Sequence, residues 1–273
     1  YRLGLSATPV RQYDEEGTEK LIEYFGENVY EFGLDRAIGF CLVEYDYFVH
    51  VVHLSSEEIN LYKELSGKIG QAIAAGNDEG AKLFMIRRRA VIENAEEKPG
   101  VLRTILSDRS PKHLLVYVSA KNPEQMELAQ EILNNLRIDA TRVTEEESSN
   151  PQRLRSILDS FGRGHVSALL AKKVLDEGVD IPATQEAILL ASSTVEREWI
   201  QRRGRVLRRY PGKDHAVIHD VIALPPLGPN VDEQLISVVE SECNRVRAFA
   251  RYARNAVEVI NEIEEILDGY KTS

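Results

Sequence analysis

Two cysteines in 273 residues leave no room for a disulfide framework. Cys41 and Cys243 lie too far apart in the chain for a metal-ligand spacing, a usage that suits a reducing cell interior. No apolar run approaches the roughly 20 residues of a membrane-spanning helix, and no signal peptide is visible. The expectation is therefore a soluble, cytoplasmic protein without a membrane partner. Positive charge is also in deficit: 34 Lys and Arg face 44 Asp and Glu, a formal net charge of -10. That excludes a histone-like polycation but leaves local cationic patches open, because affinity for nucleic acid depends on where the cations sit. A phosphate-cradling G-x-x-x-x-G-K-[ST] is missing as well. Ser66 to Gly70, "SGKIG", has the Gly-Lys pair without the first glycine or the hydroxyl residue.

What is present is a globular composition, 43% hydrophobic over 273 residues, enough for one large or two ordinary domains with real cores. The chain opens at Tyr1 directly on "RLGLSATP" and reads as part of a longer protein. "RLGLSA" is a short apolar run, expected to be a buried strand that stops at Thr8-Pro9. A helix is expected at about 15 to 25, and the β-branched and aromatic run Leu42 to Leu54 predicts a strand. Ser55 and Glu58 form a capping box that opens a helix with Ile59, Tyr62, Leu65, Ile69 and Ile73 on one face. A second helix starts at Asn77-Asp78, with Ala81, Phe84, Met85, Val91 and Ile92 inward, and Val101 to Leu106 makes a third.

From Pro111 onward strands and helices alternate. "HLLVYVS", "VSALLA", "EAILLAS" and "HAVIHDVI" read as strands. Asn122-Pro123 and Asn150-Pro151 each supply an N-cap and an N1 proline for a helix, the second ending at Gly162. A short helix is expected after "VSALLA", and another through Trp199. Apolar strands separated by helices predict an α/β fold: a doubly wound parallel sheet covered on both faces. Beyond Pro225-Pro226 the pattern predicts one long helix from about Asp232 to Leu267. Its stripe of near-heptad spacing suits packing along the domain or, alternatively, a dimerising coiled coil.

Two stretches carry chemistry. "QRRGRVLRR", Gln201 to Arg209, places five arginines in nine residues. On a helix Gln201, Arg205 and Arg208 fall on one stripe within about 60° of arc, and Arg202, Arg203 and Arg209 point elsewhere. Gly204 costs that helix about 1 kcal/mol relative to alanine, which suggests a close approach at that face. Guanidinium forks bind phosphate oxygens bidentately, so the stripe suits a polyanion, although an arginine-rich helix end is also an ordinary solvated surface. "VLDEGVDIP", Val174 to Pro182, puts Gly178 and Asp180 beyond the carboxyl end of a strand. Ligands bind there in open α/β sheets; an acidic turn is the bland alternative.

In order, "LSATP" (5 to 9), "LLVYVSA" (114 to 120), "LDEGVDIP" (175 to 182) and "QRRGRVLR" (201 to 208) resemble motifs III, IV, V and VI of the superfamily 2 helicases and translocases. The resemblance runs from Tyr1 to about Tyr210 and, more weakly, into "SECNRVRAFARYARN". The long motif V and this form of motif VI look closer to the XPB-like and restriction-enzyme DNA translocases than to the DEAD-box RNA helicases. It implies a RecA-like second lobe facing another across an ATP cleft. Arg205 and Arg208 would be arginine fingers on the γ-phosphate, ordered by Gln201, and Asp180 would touch the ribose beside Gly178. Ser119, Lys172 and Gly178 would contact nucleic acid, and Ser6 and Thr8 would couple hydrolysis to lobe movement.

Asp176-Glu177 belongs to motif V, so the sequence holds no DExx box, and ATP and Mg2+ would be held mainly by an N-terminal RecA-like lobe preceding Tyr1. No metal-ligating set is expected in this chain. "RRR", Arg87 to Arg89, resembles in position the thumb-like element of XPB-type translocases. Arg87 and Arg89 are candidates for backbone phosphates, whereas Arg88 falls on the apolar face between Phe84 and Val91.

The expected division is residues 1–41 as the end of a first lobe, 42–110 as the first strand of the second lobe with a helical insert, 111–225 as the second RecA-like lobe, and 226–273 as a helical extension. The expected activity is the C-terminal half of an ATP-dependent helicase or translocase acting on double-stranded DNA. The alternatives are a degenerate RecA-like interaction module and an RNA helicase.

Overall fold

The computed structural model describes residues 2–6, 14–119, 122–172, 181–192, 204–228 and 231–272. Residues 2–6 belong to no strand, and Leu3 and Leu5 are 78% and 89% exposed. This corrects the expected buried strand: a strand is stabilised by lateral pairing and burial, and no strand of the sheet runs beside these residues among those described. The first helix, α1 (Glu15–Phe25), forms where its spacing predicts, with the Asp14 carboxylate accepting from the Gly17 N–H at 2.8 Å. A short α2 (Leu34–Ala37) leads to β1 (Glu44–His53).

Capping chemistry sets the next boundaries. Ser55 Oγ accepts from the Glu58 N–H and Glu58 Oε2 accepts from the Ser55 N–H, opening α3 (Ser56–Ala74). Tyr62, Leu65 and Ile69 are buried, but Ile73, one residue from the helix end, is 56% exposed. α4 (Asp78–Glu93) buries Ala81, Val91 and Ile92 and leaves Met85 exposed. α5 (Val101–Leu106) follows, so three helices come in succession as expected.

The remaining elements are β2 (Leu114–Tyr117), α6 (Pro123–Asn135), β3 (Ala140–Val143), α7 (Glu145–Ser149), α8 (Pro151–Gly162), β4 (Ala168–Ala171), β5 (Glu186–Leu189), β6 (His215–Leu224), α9 (Glu233–Ala250) and α10 (Ala256–Thr272). The Asn122 and Asn150 side chains cap α6 and α8 as expected. α8 ends at Gly162 as expected, and the left-handed Gly164, φ +74°, follows its C-cap Arg163. β3 and α7 were not expected. The short helix after "VSALLA" and the helix through Trp199 fall mainly outside the described residues.

The six strands among the described residues are all parallel, in the order β1-β6-β5-β2-β4-β3. Alternate side chains point to opposite faces. Leu114, Val116 and Val118 pack with α3 to α6, while Leu115 and Tyr117 pack with α8, α9 and α10. The fold is the doubly wound α/β sheet expected from the sequence.

The single long helix is corrected to a pair, α9 and α10, joined by residues 251–255. The break has a long-range cause. Asn255 donates to Tyr47 O and accepts from Tyr47 N, both at 2.9 Å, and the Arg254 N–H donates to Tyr45 O. The turn thereby takes up the outer hydrogen-bonding edge of β1, a position that otherwise invites pairing with another chain. An Arg247–Glu264 ion pair at 2.7 Å ties the two helices. Val239, Val246, Phe249, Ile263 and Leu267 are buried in the domain, which favours packing along the domain over a coiled-coil seam.

Candidate functional site

Ser119 and Lys172 lie just beyond the carboxyl ends of β2 and β4, which are neighbours in the sheet. Ser119 is buried, and its N–H donates to Gln125 Oε1 at 2.7 Å. Lys172 is half-buried, with its N–H directed at Val143 O. This is the edge at which open α/β sheets present ligands. Gly178, Asp180, Gln201 and Thr8 lie outside the described residues, and Ser6 stands in the exposed stretch 2–6.

Arg205 and Arg208 stand elsewhere. Helical backbone is described over 204–206, and Arg208 forms an isolated antiparallel bridge with Leu42, while the Val43 N–H donates to Leu207 O at 2.8 Å. The one-stripe geometry is corrected accordingly: a helical spacing cannot be carried through a residue in extended, bridged backbone. Val206 and Leu207 are 2% and 0% exposed and plug into the core. The half-buried Arg205 and the exposed Arg208 flank that plug. Because Leu42 and Val43 immediately precede β1, this segment sits at the amino edge of the parallel sheet, opposite Ser119 and Lys172. A Cβ on Gly204 would meet nothing within 4 Å, so the close approach expected there has no partner among the described residues.

A buried charge network runs from the insert to the start of the undescribed segment 193–203. Arg89 Nη1 donates to Glu242 Oε1 at 2.6 Å and Arg89 Nη2 to Ser192 O at 2.7 Å. Arg245 bonds Glu242 Oε2 at 2.9 Å and also Asp220 Oδ2. Asp220 accepts further from Tyr47 OH at 2.7 Å and Ser192 Oγ at 3.2 Å. Burial raises the Glu242 carboxyl, but the Arg245, Arg89 and Lys98 charges outweigh it and hold the pKa at about 2. Burial lowers the Lys98 ammonium to about 8.

Arg89 is thereby corrected as a phosphate contact, since its guanidinium is turned inward and shared between a carboxylate and a carbonyl. Arg87 is exposed. Arg88 packs onto α3 as expected, donating to Ser66 Oγ at 3.2 Å and lying 5.2 Å from the Tyr62 ring centroid.

The network escaped the sequence reading because its members are dispersed. The local signal was a polar pair, His219 and Asp220, inside the otherwise apolar strand "VIHDVIAL". A second polar chain went unnoticed for the same reason. His50 Nε2 meets His219 Nδ1 at 3.0 Å, His219 Nε2 meets Glu186 Oε1 at 3.0 Å, and Arg109 holds Glu186 bidentately. Burial, with His219 alongside, lowers the His50 pKa to about 4.

Guanidiniums such as those of Arg205 and Arg208 are able to bind phosphate oxygens; no three His, Cys, Asp or Glu side chains converge as a metal cage among the described residues. No helix among them is long and apolar enough to cross a membrane.

Residues 97–210 match the helicase conserved C-terminal domain. The chain is 26% identical over 224 residues to the DNA 3'-5' translocase XPB2 of Sulfurisphaera tokodaii, covering 77% of this chain and 50% of that protein. It is 27% identical over 137 residues to the DNA 3'-5' helicase XPB of Mycobacterium tuberculosis, covering 50% of this chain and 23% of that one. The C-terminal part of the Fun30 ATPase domain superposes with a TM-score of 0.49 at 11% identity, over 85% of this chain and 100% of that one. The chain spans half or less of the length of the curated relatives it matches.

Proposed function

We propose that this chain, whose residues 97–210 match the helicase conserved C-terminal domain, is the C-terminal half of an ATP-dependent superfamily 2 translocase on double-stranded DNA. In this reading it supplies arginine fingers to a triphosphate held by a P-loop lobe of the same protein. The observation that carries the reading is the placement of Arg205 and Arg208 on either side of the buried Val206-Leu207 plug.

ATP supplies a phosphoanhydride whose γ-phosphoryl group gathers charge on its oxygens as it transfers. Guanidiniums fixed by a rigid backbone stabilise that charge without reorganising, and little covalent chemistry is asked of the protein. Ser119 and Lys172, at the opposite sheet edge, are left to nucleic acid, and Gly178 and Asp180 keep the backbone and ribose roles implied by the resemblance. Two separate surfaces joined by one rigid sheet are what a motor needs to convert hydrolysis into movement.

The complete protein should show ATP turnover stimulated by duplex DNA, and this 273-residue chain alone should show none, because its sequence lacks the P-loop. Steady-state hydrolysis by the isolated chain would overturn the division of labour, and stimulation by RNA alone would move the assignment to an RNA helicase.

The insert gives a second check. Replacing Arg87 with alanine in the complete protein should weaken duplex binding for all sequences alike. It should lower the slope of log affinity against log salt by about 1, since each neutralised phosphate releases close to one counterion. Arg89→Ala should leave the slope unchanged and lower the melting point, because it takes the donor from Glu242 Oε1 and from the Ser192 carbonyl and leaves Glu242 to Arg245 and Lys98 alone. A salt titration with melting curves separates the two.

A further inference from the structure

The residue that fixes the backbone of the finger segment lies outside every motif. Lys213 follows a tight turn at Gly212, φ +79°, and is only 7% exposed. Its ammonium donates to Val206 O, to Arg208 O at 3.0 Å and to Pro182 O at 3.3 Å. An ammonium carries three N–H donors, and three backbone carbonyls converge on this one.

Their places in the chain give the contact its meaning. Helical backbone ends at Val206, and carbonyls at a helix end lack intrahelical partners. Buried carbonyls without donors are costly, and a cation there also complements the helix dipole. The Val206 carbonyl belongs to the residue after Arg205, and the Arg208 carbonyl to Arg208 itself. The third acceptor, Pro182, closes the "LDEGVDIP" stretch, so one ammonium joins the exits of motifs V and VI. On the other side, Val43 N–H to Leu207 O and the Leu42–Arg208 bridge hold Leu207 and Arg208 of the same segment. With both flanks held, rotation of the peptide planes at 206 to 208 is restricted, and those planes set the directions of the Arg205 and Arg208 side chains.

We propose that Lys213 is a positioning residue that aims Arg205 and Arg208 by clamping the Val206, Arg208 and Pro182 carbonyls to a single buried ammonium. The inference rests on the finger reading above. It adds that the aim of the guanidiniums is set from behind, by a group that touches no phosphate.

The test is a mutant cycle in the complete protein. Lys213→Met keeps the length of the side chain and removes the donors. It should lower kcat per folded molecule at least about tenfold, since misplacing a reacting group by about 1 Å costs up to a hundredfold. Duplex affinity without nucleotide should stay within about twofold of the parent, because the nucleic-acid groups lie at the other sheet edge. Amide exchange over 204–210 should quicken while that of β6 stays slow. In an Arg205→Ala/Arg208→Ala background, single-turnover rates should show no further loss from the lysine change, because groups that act through one another are not additive.

Near-parental kcat in Lys213→Met, beside a disabled Arg205→Ala, would overturn the positioning role and leave the fingers standing. A loss that multiplies with that of the arginines would also overturn it. Full turnover in the Arg205→Ala/Arg208→Ala variant would remove the finger reading and this inference together. Should the methionine variant not fold, Lys213→Gln, which retains two N–H donors, enters the same cycle under the same criteria.

Discussion

Arg205→Ala or Arg208→Ala in the complete protein should lower kcat by at least about a hundredfold, the range lost when one preorganised donor to a developing anion is removed. Lysine should rescue poorly at either position, because it offers a point charge where the guanidinium offers a planar fork. Nucleic-acid affinity in the absence of nucleotide should change little. Arg208 is bridged to Leu42 at the amino edge of the sheet, whereas Ser119 and Lys172 lie just beyond the carboxyl ends of β2 and β4. Steady-state ATPase rates and duplex titrations on the same preparations measure both quantities, with a melting curve to show that the half-buried Arg205 is not chiefly structural. Near-parental turnover in both variants would reduce the segment to a solvated surface.

The fold was legible where the deciding interactions are local. Ser55 with Glu58, Asn122 with Pro123 and Asn150 with Pro151 each satisfy the first N–H groups of a helix within three residues, so a short window contains the whole cause. Fully apolar runs such as Leu114–Tyr117 and Ala168–Ala171 announce strands buried on both faces. β3 escaped notice because it is an edge strand, Ala-Thr-Arg-Val, with only Val143 fully buried. Pairing with β4 makes it a strand, and the pairing is invisible in its own residues.

Reach in sequence explains the other misses. The break between α9 and α10 depends on Asn255 meeting Tyr47, 208 residues away. Arg89 reads as a free basic residue until Glu242, 153 residues on, is brought against it. Within the candidate site, the identities of Arg205 and Arg208 were legible as a motif. Their presentation was not, because the isolated spacing continues a helix that tertiary pairing with Leu42 and Val43 stops.

The largest stability change is expected at Arg245, the hub of the buried network. Arg245, Asp220 and Glu242 have side chains only 3%, 0% and 1% exposed. Burial lowers the Arg245 guanidinium pKa, and the Asp220 and Glu242 charges more than reverse it, raising the pKa well above its usual range. Removing one member of such a set costs about 3–5 kcal/mol, because it leaves charge uncompensated in a medium of low polarity. Arg245→Met is therefore expected to lower the unfolding free energy by about that amount, even though methionine fills much of the same volume.

The cause is charge rather than packing, and a second change isolates it. Adding Asp220→Asn to Arg245→Met removes the stranded carboxylate and keeps one oxygen to accept from Tyr47, while its NH2 can donate to Ser192 Oγ, so the double variant should regain part of the loss. Glu242 supplies the matching pH dependence. Its folded pKa of about 2 lies below the ordinary carboxyl value of 4.5. Its contribution is therefore present above about pH 4.5 and drains away as pH falls toward 2. Glu242→Gln should flatten the acid limb of the stability curve over that window. Urea titrations of the parent and the variants from neutral pH down to pH 3 measure all of this. A double variant less stable than Arg245→Met alone would mean that the arginine holds the core by its bulk, and that the charges of the network are incidental.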